Sequence, residues 1–127
     1  MNFEKVVFGF FITLAATLNF GFVIGDLNDP IQHNGAELAA AFVVSLVATV
    51  LKFGDRTQLG AVHLATSLVA DLQLIAALVV WVWAMQVSVA GMTPGHTSLV
   101  VSLSAGALLA NIISVVLMVS ETLQLRR

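Results

Sequence analysis

The sequence predicts an all-α integral membrane protein with four transmembrane helices and both termini cytoplasmic. Three observations predict it. Of 127 residues, 59% are hydrophobic and 9% charged, and the mean hydropathy is +1.01. Soluble domains carry roughly a quarter charged residues, and so short a chain buries only part of its surface in one core, so a bilayer has to cover the remainder. The apolar residues, secondly, fall into four runs separated by three polar connections. Thirdly, all five basic residues share one side of that pattern: Lys5 precedes the first run, Lys52 and Arg56 lie between the second and third, and Arg126 and Arg127 follow the fourth. The positive-inside rule then places both termini in the cytoplasm. So one-sided a bias disfavours the small dual-topology transporters, which insert both ways. The whole chain, 1–127, reads as a single four-helix domain.

The first helix is expected at about 6–25, long enough to cross about 30 Å of hydrocarbon. Its apolar run exceeds the core of a signal peptide, and no small-x-small cleavage site precedes Asp26, so it is expected to stay in the mature protein. "DLNDPIQHNG" (26–35) is a polar loop broken by Pro30. The second helix, about 36–51, is short for a span, and Asn34 and Gly35 are candidates for its first turn. "KFGDRTQ" (52–58) is the next loop. The third helix, about 59–86, is long enough to tilt or project. "GMTPGHT" (91–97) is read as a turn on Pro94 and Gly95, and the fourth helix is expected at about 98–120.

Small residues recur every four positions on two helices: Gly9, Thr13, Thr17, Gly21 and Gly25 on the first, and Ser98, Ser102, Gly106, Ala110 and Ser114 on the fourth. Such stripes let membrane helices approach closely. The second helix has a shorter version in Ala41, Ser45 and Ala48 or Thr49. Plain packing and a wet, hydroxyl-lined path both fit these faces.

Asp71 is the unusual residue, a carboxylate in the middle of the third apolar run. Inserting one there costs several kcal/mol. No lysine or arginine lies inside the four expected segments, so an intramembrane salt bridge within the protomer is not expected. The carboxyl is then neutral through desolvation, hydrogen-bonded to neighbours such as Thr17 or Asn111, or set in a cavity screened by water and cations. His63, Ser67 and Asp71 are spaced by four and share one face running from the cytoplasmic end to the centre. Leu64, Leu74 and Leu78 lie near the same stripe and narrow any wet path beyond Asp71, while Gln73 points elsewhere. Asn19 sits to the outer side of centre and Asn111 to the inner side. Asp71, Ser67, His63, Asn111 and Asn19 are therefore the candidate ion or proton path. The plainer alternatives are a structural hydrogen-bonding carboxyl at Asp71, a satisfied interfacial histidine at His63 and interhelical glue at the two asparagines.

Asp26, Asp29 and Glu37 gather beside His33 in the outer loop with no base opposing them, a candidate acidic mouth that concentrates cations. Glu37 in a first helical turn also suits the helix dipole without any ion.

Other chemistries find little support. With no cysteine in the chain, disulfides, thiolate metal sites and thiol redox reactions are excluded. The net charge of −2 and a pI near 5.8 argue against a nucleic-acid partner. A haem needs two axial ligands, and only His63 is expected in the membrane. His63 and Ser67 lack an oxyanion hole and a water entry, and no Gly-rich phosphate loop is present. No enzyme activity, cofactor or metal centre is expected.

"TLNFGFVIGD" and "LKFGDRTQLGAVHLATSLVADLQLIAA" resemble stretches of small proteobacterial inner-membrane proteins of unassigned function. The resemblance implies a bacterial inner membrane and carries over no site residues.

The expected function is thus a homo-oligomeric channel or translocator for a monovalent or divalent cation or a proton. Outer acids would attract the ion, Asp71 would bind or gate it, and Ser67 with His63 would line the inner exit. The alternative is an accessory or assembly subunit whose small-residue faces dock a larger membrane complex.

Overall fold

The computed structural model describes residues 3–25, 33–55, 57–87, 89 and 91–125. It is all-helical, with four helices: α1 (Phe3–Val23), α2 (Gly35–Lys52), α3 (Gln58–Gln86) and α4 (Pro94–Leu125). All four are long and apolar enough to cross a bilayer.

The helix ends follow from local chemistry. Asn34 caps α2, its side-chain oxygen accepting the Ala36 N–H at 2.9 Å. Thr57 caps α3 by accepting the Gly60 N–H at 2.9 Å. The expected turn at 91–97 is shorter than its residues suggested, because α4 begins at Pro94. Proline is favoured at a first helical position, where its missing N–H is no loss. Thr93 completes that start, its hydroxyl accepting the His96 N–H at 3.1 Å. Gly91, at φ +71°, takes the left-handed turn that leads into it.

Buried positions recur at alternating three- and four-residue steps: Phe8, Ile12, Ala15, Asn19 and Phe22 on α1, and His63, Ser67, Ala70, Leu74 and Ala77 on α3. That period aligns one seam along each helix and suits near-antiparallel bundle packing. Each helix packs against its neighbours in sequence, and α1 closes the ring against α4. Lys5 and Glu121 meet at 2.8 Å, which puts the start of α1 and the end of α4 at one end of the bundle, here the terminal end.

Two apolar clusters divide the core. Phe22, Leu38, Ala41, Leu74, Ala77 and Val100 fill the far half. Phe8, Ile12 and Ala48 fill the terminal half, backed by Met118. The outer faces are apolar too: Phe10, Phe20, Leu72, Val79 and Leu109 are all more than half exposed. An aqueous surface does not tolerate so continuous an apolar cover, whereas hydrocarbon does.

The 18 residues of α2 reach about 27 Å, against roughly 43 Å for α3 at 1.5 Å per residue. This mismatch shapes the terminal end. There α2 stops at Lys52 and the chain continues to α3 through a short loop, leaving room beside the first two turns of α1.

Candidate functional site

Asp71 lies midway along α3, about 20 Å from either end at 1.5 Å per residue. It is 8% exposed, and its carboxyl faces α2 inside the bundle. The Ser45 hydroxyl donates to Oδ1 at 2.7 Å, and the Thr49 hydroxyl stands 2.5 Å from Oδ2. Ser45 and Thr49 are one turn apart, so two adjacent rungs of α2 hold the two carboxyl oxygens. The neighbours expected from depth alone, Thr17 and Asn111, are not its partners. The Thr17 hydroxyl is exposed and turns back to the Leu14 carbonyl at 2.9 Å, the usual fate of a threonine that faces lipid. Asn111 is fully buried on α4 but bonds to no side chain.

From Asp71 a buried polar column runs toward the terminal end. Ser67, one turn away on α3, is fully buried, and its hydroxyl has no hydrogen-bond partner. The same holds for both amide atoms of Asn111. Next come His63, whose Nδ1 is 3.2 Å from the Ser114 hydroxyl, and Thr66, whose hydroxyl is 2.5 Å from the same oxygen. The His63 ring also packs edge-on to Phe8 at 4.9 Å between centroids. Toward the far end the column stops, because Leu74 and Ala77 follow Asp71 into the dry cluster.

Lys52 alters the charge inventory expected from the sequence. It is the last residue of α2 and only 9% exposed, so one lysine does enter a spanning helix. Its Nζ lies 4.2 Å above the Phe8 ring and 3.4 Å from Asp55, not on Asp71. The ring face and the aliphatic stem make this depth tolerable. An open cleft of about 790 Å³ lies over this spot, lined by Glu4, Lys5, Phe8, Lys52, Asp55 and Thr57 among others. Thr49, which holds Asp71, is three residues from the cleft-lining Lys52, about 4.5 Å along the helix axis.

Asp55 organises the cleft's loop. Its Oδ1 accepts both the Thr57 hydroxyl at 2.7 Å and the Thr57 N–H at 2.9 Å. These bonds to Thr57, the side-chain one foremost, hold its carboxyl below the usual aspartate value of 3.8, with a smaller contribution from Lys52.

The remaining candidates scatter. Asn19 does not belong to the polar column. It crosses from α1 to α4, and with its carbonyl turned toward the Leu108 N–H at 3.0 Å its amide nitrogen donates to the Ser104 carbonyl at 2.9 Å. The opposite placement has the Ser104 hydroxyl donating to it at 2.5 Å but leaves the Leu108 contact unused. Of the acidic mouth, Asp26 and Asp29 lie outside the described residues. Glu37 sets its carboxylate against the Cα of Gly21, and His33 caps α1 by donating from Nδ1 to the Phe22 carbonyl at 2.6 Å.

The four-residue stripes do not form single faces, since four residues turn 40° past a full revolution on an ideal helix. On α1, Gly9 meets Met118 of α4, Thr13 and Thr17 are exposed, and Gly21 meets α2. Gly25 is exposed just past the helix end. On α4, Ser98 is half-buried and Ser102 exposed, Gly106 lies under the Gln73 amide, and Ala110 and Ser114 are buried.

The residues that sequence reasoning missed are Ser45 and Thr49 as carboxyl partners, Ser114 and Thr66 as partners around His63, and Lys52 as a buried cation. In the sequence, Ser45 and Thr49 appear as part of a small-residue stripe that fits packing or a hydroxyl-lined path, with no carboxyl assigned to them. Their signal was present in that stripe, two hydroxyls at four-residue spacing on the helix joined to α3 by the shortest loop.

Chemically, the arrangement is a buried carboxyl bonded to two hydroxyls, with further buried polar groups without partners on α3 and α4 and an open charged cleft at the terminal end of the bundle.

A protein-family model described as a family of unknown function, DUF6394, matches residues 32–122, more than two thirds of the chain. No curated protein and no solved structure matches it.

Proposed function

The chain belongs to this family of unknown function, which brings no activity with it, and from the geometry we propose a protein that translocates protons or small cations across a bacterial inner membrane as a homo-oligomer, with Asp71 as the ion-binding carboxyl. The single observation that carries this reading is the position of Asp71: mid-helix, buried, bonded to hydroxyls, and continued toward the open end by the unpartnered Ser67 and Asn111. A carboxyl kept only for packing has no use for a column of further unsatisfied groups, each of which is costly to bury. The distribution of the five basic residues sets the terminal end in the cytoplasm. The cytoplasmic cleft then supplies or receives the ion, His63 and Ser67 line the route, and the cluster around Leu74 is the barrier. Opening that barrier, or bypassing it at a subunit interface, completes transport, which is why an assembly rather than a lone bundle is proposed. Outer acids, Glu37 among them, serve the other mouth.

The test is ion flux in proteoliposomes. Wild-type protein with a membrane potential imposed is expected to carry a current that an interior pH dye or a cation-sensitive dye reports, and Asp71→Asn is expected to abolish it. No flux of protons, sodium, potassium or magnesium in the wild type, or full flux in Asp71→Asn, overturns the reading.

One observation favours a second reading. Thr13, Thr17 and Ser102 leave small polar residues on the outer surfaces of α1 and α4, where close docking of another membrane helix is possible. An accessory subunit would co-purify with a larger partner in mild detergent, whereas a transporter would purify as a symmetric oligomer of itself.

A further inference from the structure

We infer that the ion held at the centre of the bundle is a proton, shared between Asp71 Oδ2 and Thr49 Oγ1, and not a metal cation. This rests on the reading of Asp71 as the ion-binding group and names the ion.

The inference comes from counting hydrogens. Thr49 Oγ1 stands 2.5 Å from Asp71 Oδ2 and 3.0 Å from the Ser45 carbonyl oxygen. If Asp71 is a carboxylate, both of those oxygens are acceptors, and a hydroxyl has one hydrogen to give. The one hydrogen is then divided between two acceptors, and neither contact has a hydrogen of its own. A single added proton gives each contact its own hydrogen. Oδ2–H donates to Thr49 Oγ1, Thr49 Oγ1–H donates to the Ser45 carbonyl, and Ser45 Oγ–H donates to Oδ1, which is the carbonyl oxygen of the neutral acid. Every polar atom in the cluster is then matched.

Charge leads to the same place. On α2 the nearest cation, Lys52, is turned to Asp55 and Phe8. On α3 the nearest titratable group, His63, faces Ser114 two turns away. The buried residues of α4 at this depth, Ala107, Ala110 and Asn111, are uncharged, as are Ile12 and Ala15 of α1. Among the described residues, none neutralises a carboxylate here. A metal cation is poorly served as well. Hard cations ask for about six oxygens or more, yet both carboxyl oxygens are already engaged by hydroxyls, and Asp71 does not line the cleft. A proton needs no room. Uptake forms the Oδ2–H bond and release breaks it, the charge of the cluster changes by one, and no redox partner is involved.

Infrared difference spectroscopy on the full chain in lipid tests this, with aspartate carboxyls labelled with carbon-13. The expected result at neutral pH is a carbonyl band of a protonated acid that shifts with the label and is absent in Asp71→Asn. Thr49→Val, which keeps the shape and removes the acceptor, is expected to move that band to higher frequency. This second variant carries the assignment if Asp71→Asn does not fold. A spectrum with ionised carboxylates alone, or a protonated band indifferent to Thr49→Val, overturns the shared proton. The transport reading fails separately. The band without any flux in liposomes leaves the shared proton standing and removes transport. Sodium flux insensitive to pH, in protein without the band, removes the proton and leaves Asp71 an ion-binding group.

Discussion

Ser45 on α2 and Asp71 on α3 meet at 2.7 Å across 26 residues of sequence, and the contact ties the two helices at the depth where both are buried. Its contribution to stability and its contribution to function make opposite demands. A buried hydrogen-bonded pair is worth little beyond an apolar pair of the same shape, although breaking it on one side is costly. Ser45→Ala alone should therefore cost about 1–3 kcal/mol, because Oδ1 loses its donor. The triple variant Ser45→Ala, Thr49→Val, Asp71→Leu removes the whole polar set while keeping nearly the same heavy-atom shapes. It should unfold within about 1.5 kcal/mol of wild type and carry no ion. Detergent unfolding followed by circular dichroism measures the first, and liposome flux the second. A triple variant that cannot fold would make the cluster structural.

A second prediction concerns the far end. The indole of Trp81 lies over Gly35, so that a methyl group there would stand 2.8 Å from Nε1 and 2.9 Å from Cε2. The ring is also held edge-on against Phe22, at 5.8 Å between centroids, and has little freedom to retreat. Gly35→Ala gains up to about 1 kcal/mol in helix propensity, but overpacking costs about 1–3 kcal/mol, and the second effect should win. Gly54→Ala, where nothing lies within 4 Å, is the control and should be neutral. Tryptophan fluorescence during unfolding reads both variants.

The four helices were legible because composition and period act locally. Each apolar run is longer than about 17 residues or close to it, which is what a bilayer requires. The α4 start lies earlier than expected because Pro94 and Gly95 suit a turn equally well, and only the Thr93 cap decides otherwise. The face shared by His63, Ser67 and Asp71 was legible as well, since spacing along one helix fixes it. What sequence spacing does not fix is which rung of another helix stands opposite. A depth estimate made Thr17 a neighbour of Asp71, whereas the rotation of α1 turns Thr17 outward. The same rotation splits the Gly9 to Gly25 stripe between two neighbours and the outer surface.

A third prediction follows from Asp55. Its carboxyl is held below 3.8, first by the Thr57 hydroxyl, then by the Thr57 N–H. A depressed value stabilises the fold at every pH above the unfolded value, and the contribution is lost only as pH falls through the folded value. Thermal stability should therefore be independent of this group from neutral pH down to about 4, then decline below 3.8 as the loop loses its acceptor. Asp55→Asn should flatten that acid limb and lower stability at pH 7, where the ionised carboxyl makes its full contribution. A melting series across pH 2.5–7 on both proteins, about the range in which aspartates titrate, checks it.

The last prediction decides what the unpartnered amide of Asn111 is for. Both of its polar atoms are fully buried without a partner, one turn of α4 from Ser114, and Ser67 is equally unsatisfied on α3. If the site is dry, each orphan costs about 1–3 kcal/mol, and Asn111→Leu should stabilise the bundle while leaving flux untouched. If the site is wet, the amide N–H, the amide oxygen and the Ser67 hydroxyl provide about the three hydrogen bonds that a buried water usually makes. On the second account, which the proposed route requires, Asn111→Leu should change stability by less than about 1 kcal/mol, because losing the orphan groups and losing the water offset each other. Flux should fall at least about tenfold, equivalent to about 1.4 kcal/mol on the barrier, and Ser67→Ala should lower it in the same direction. Unfolding and flux measured on the same preparation separate the two accounts, since a more stable variant with wild-type flux belongs only to the dry one.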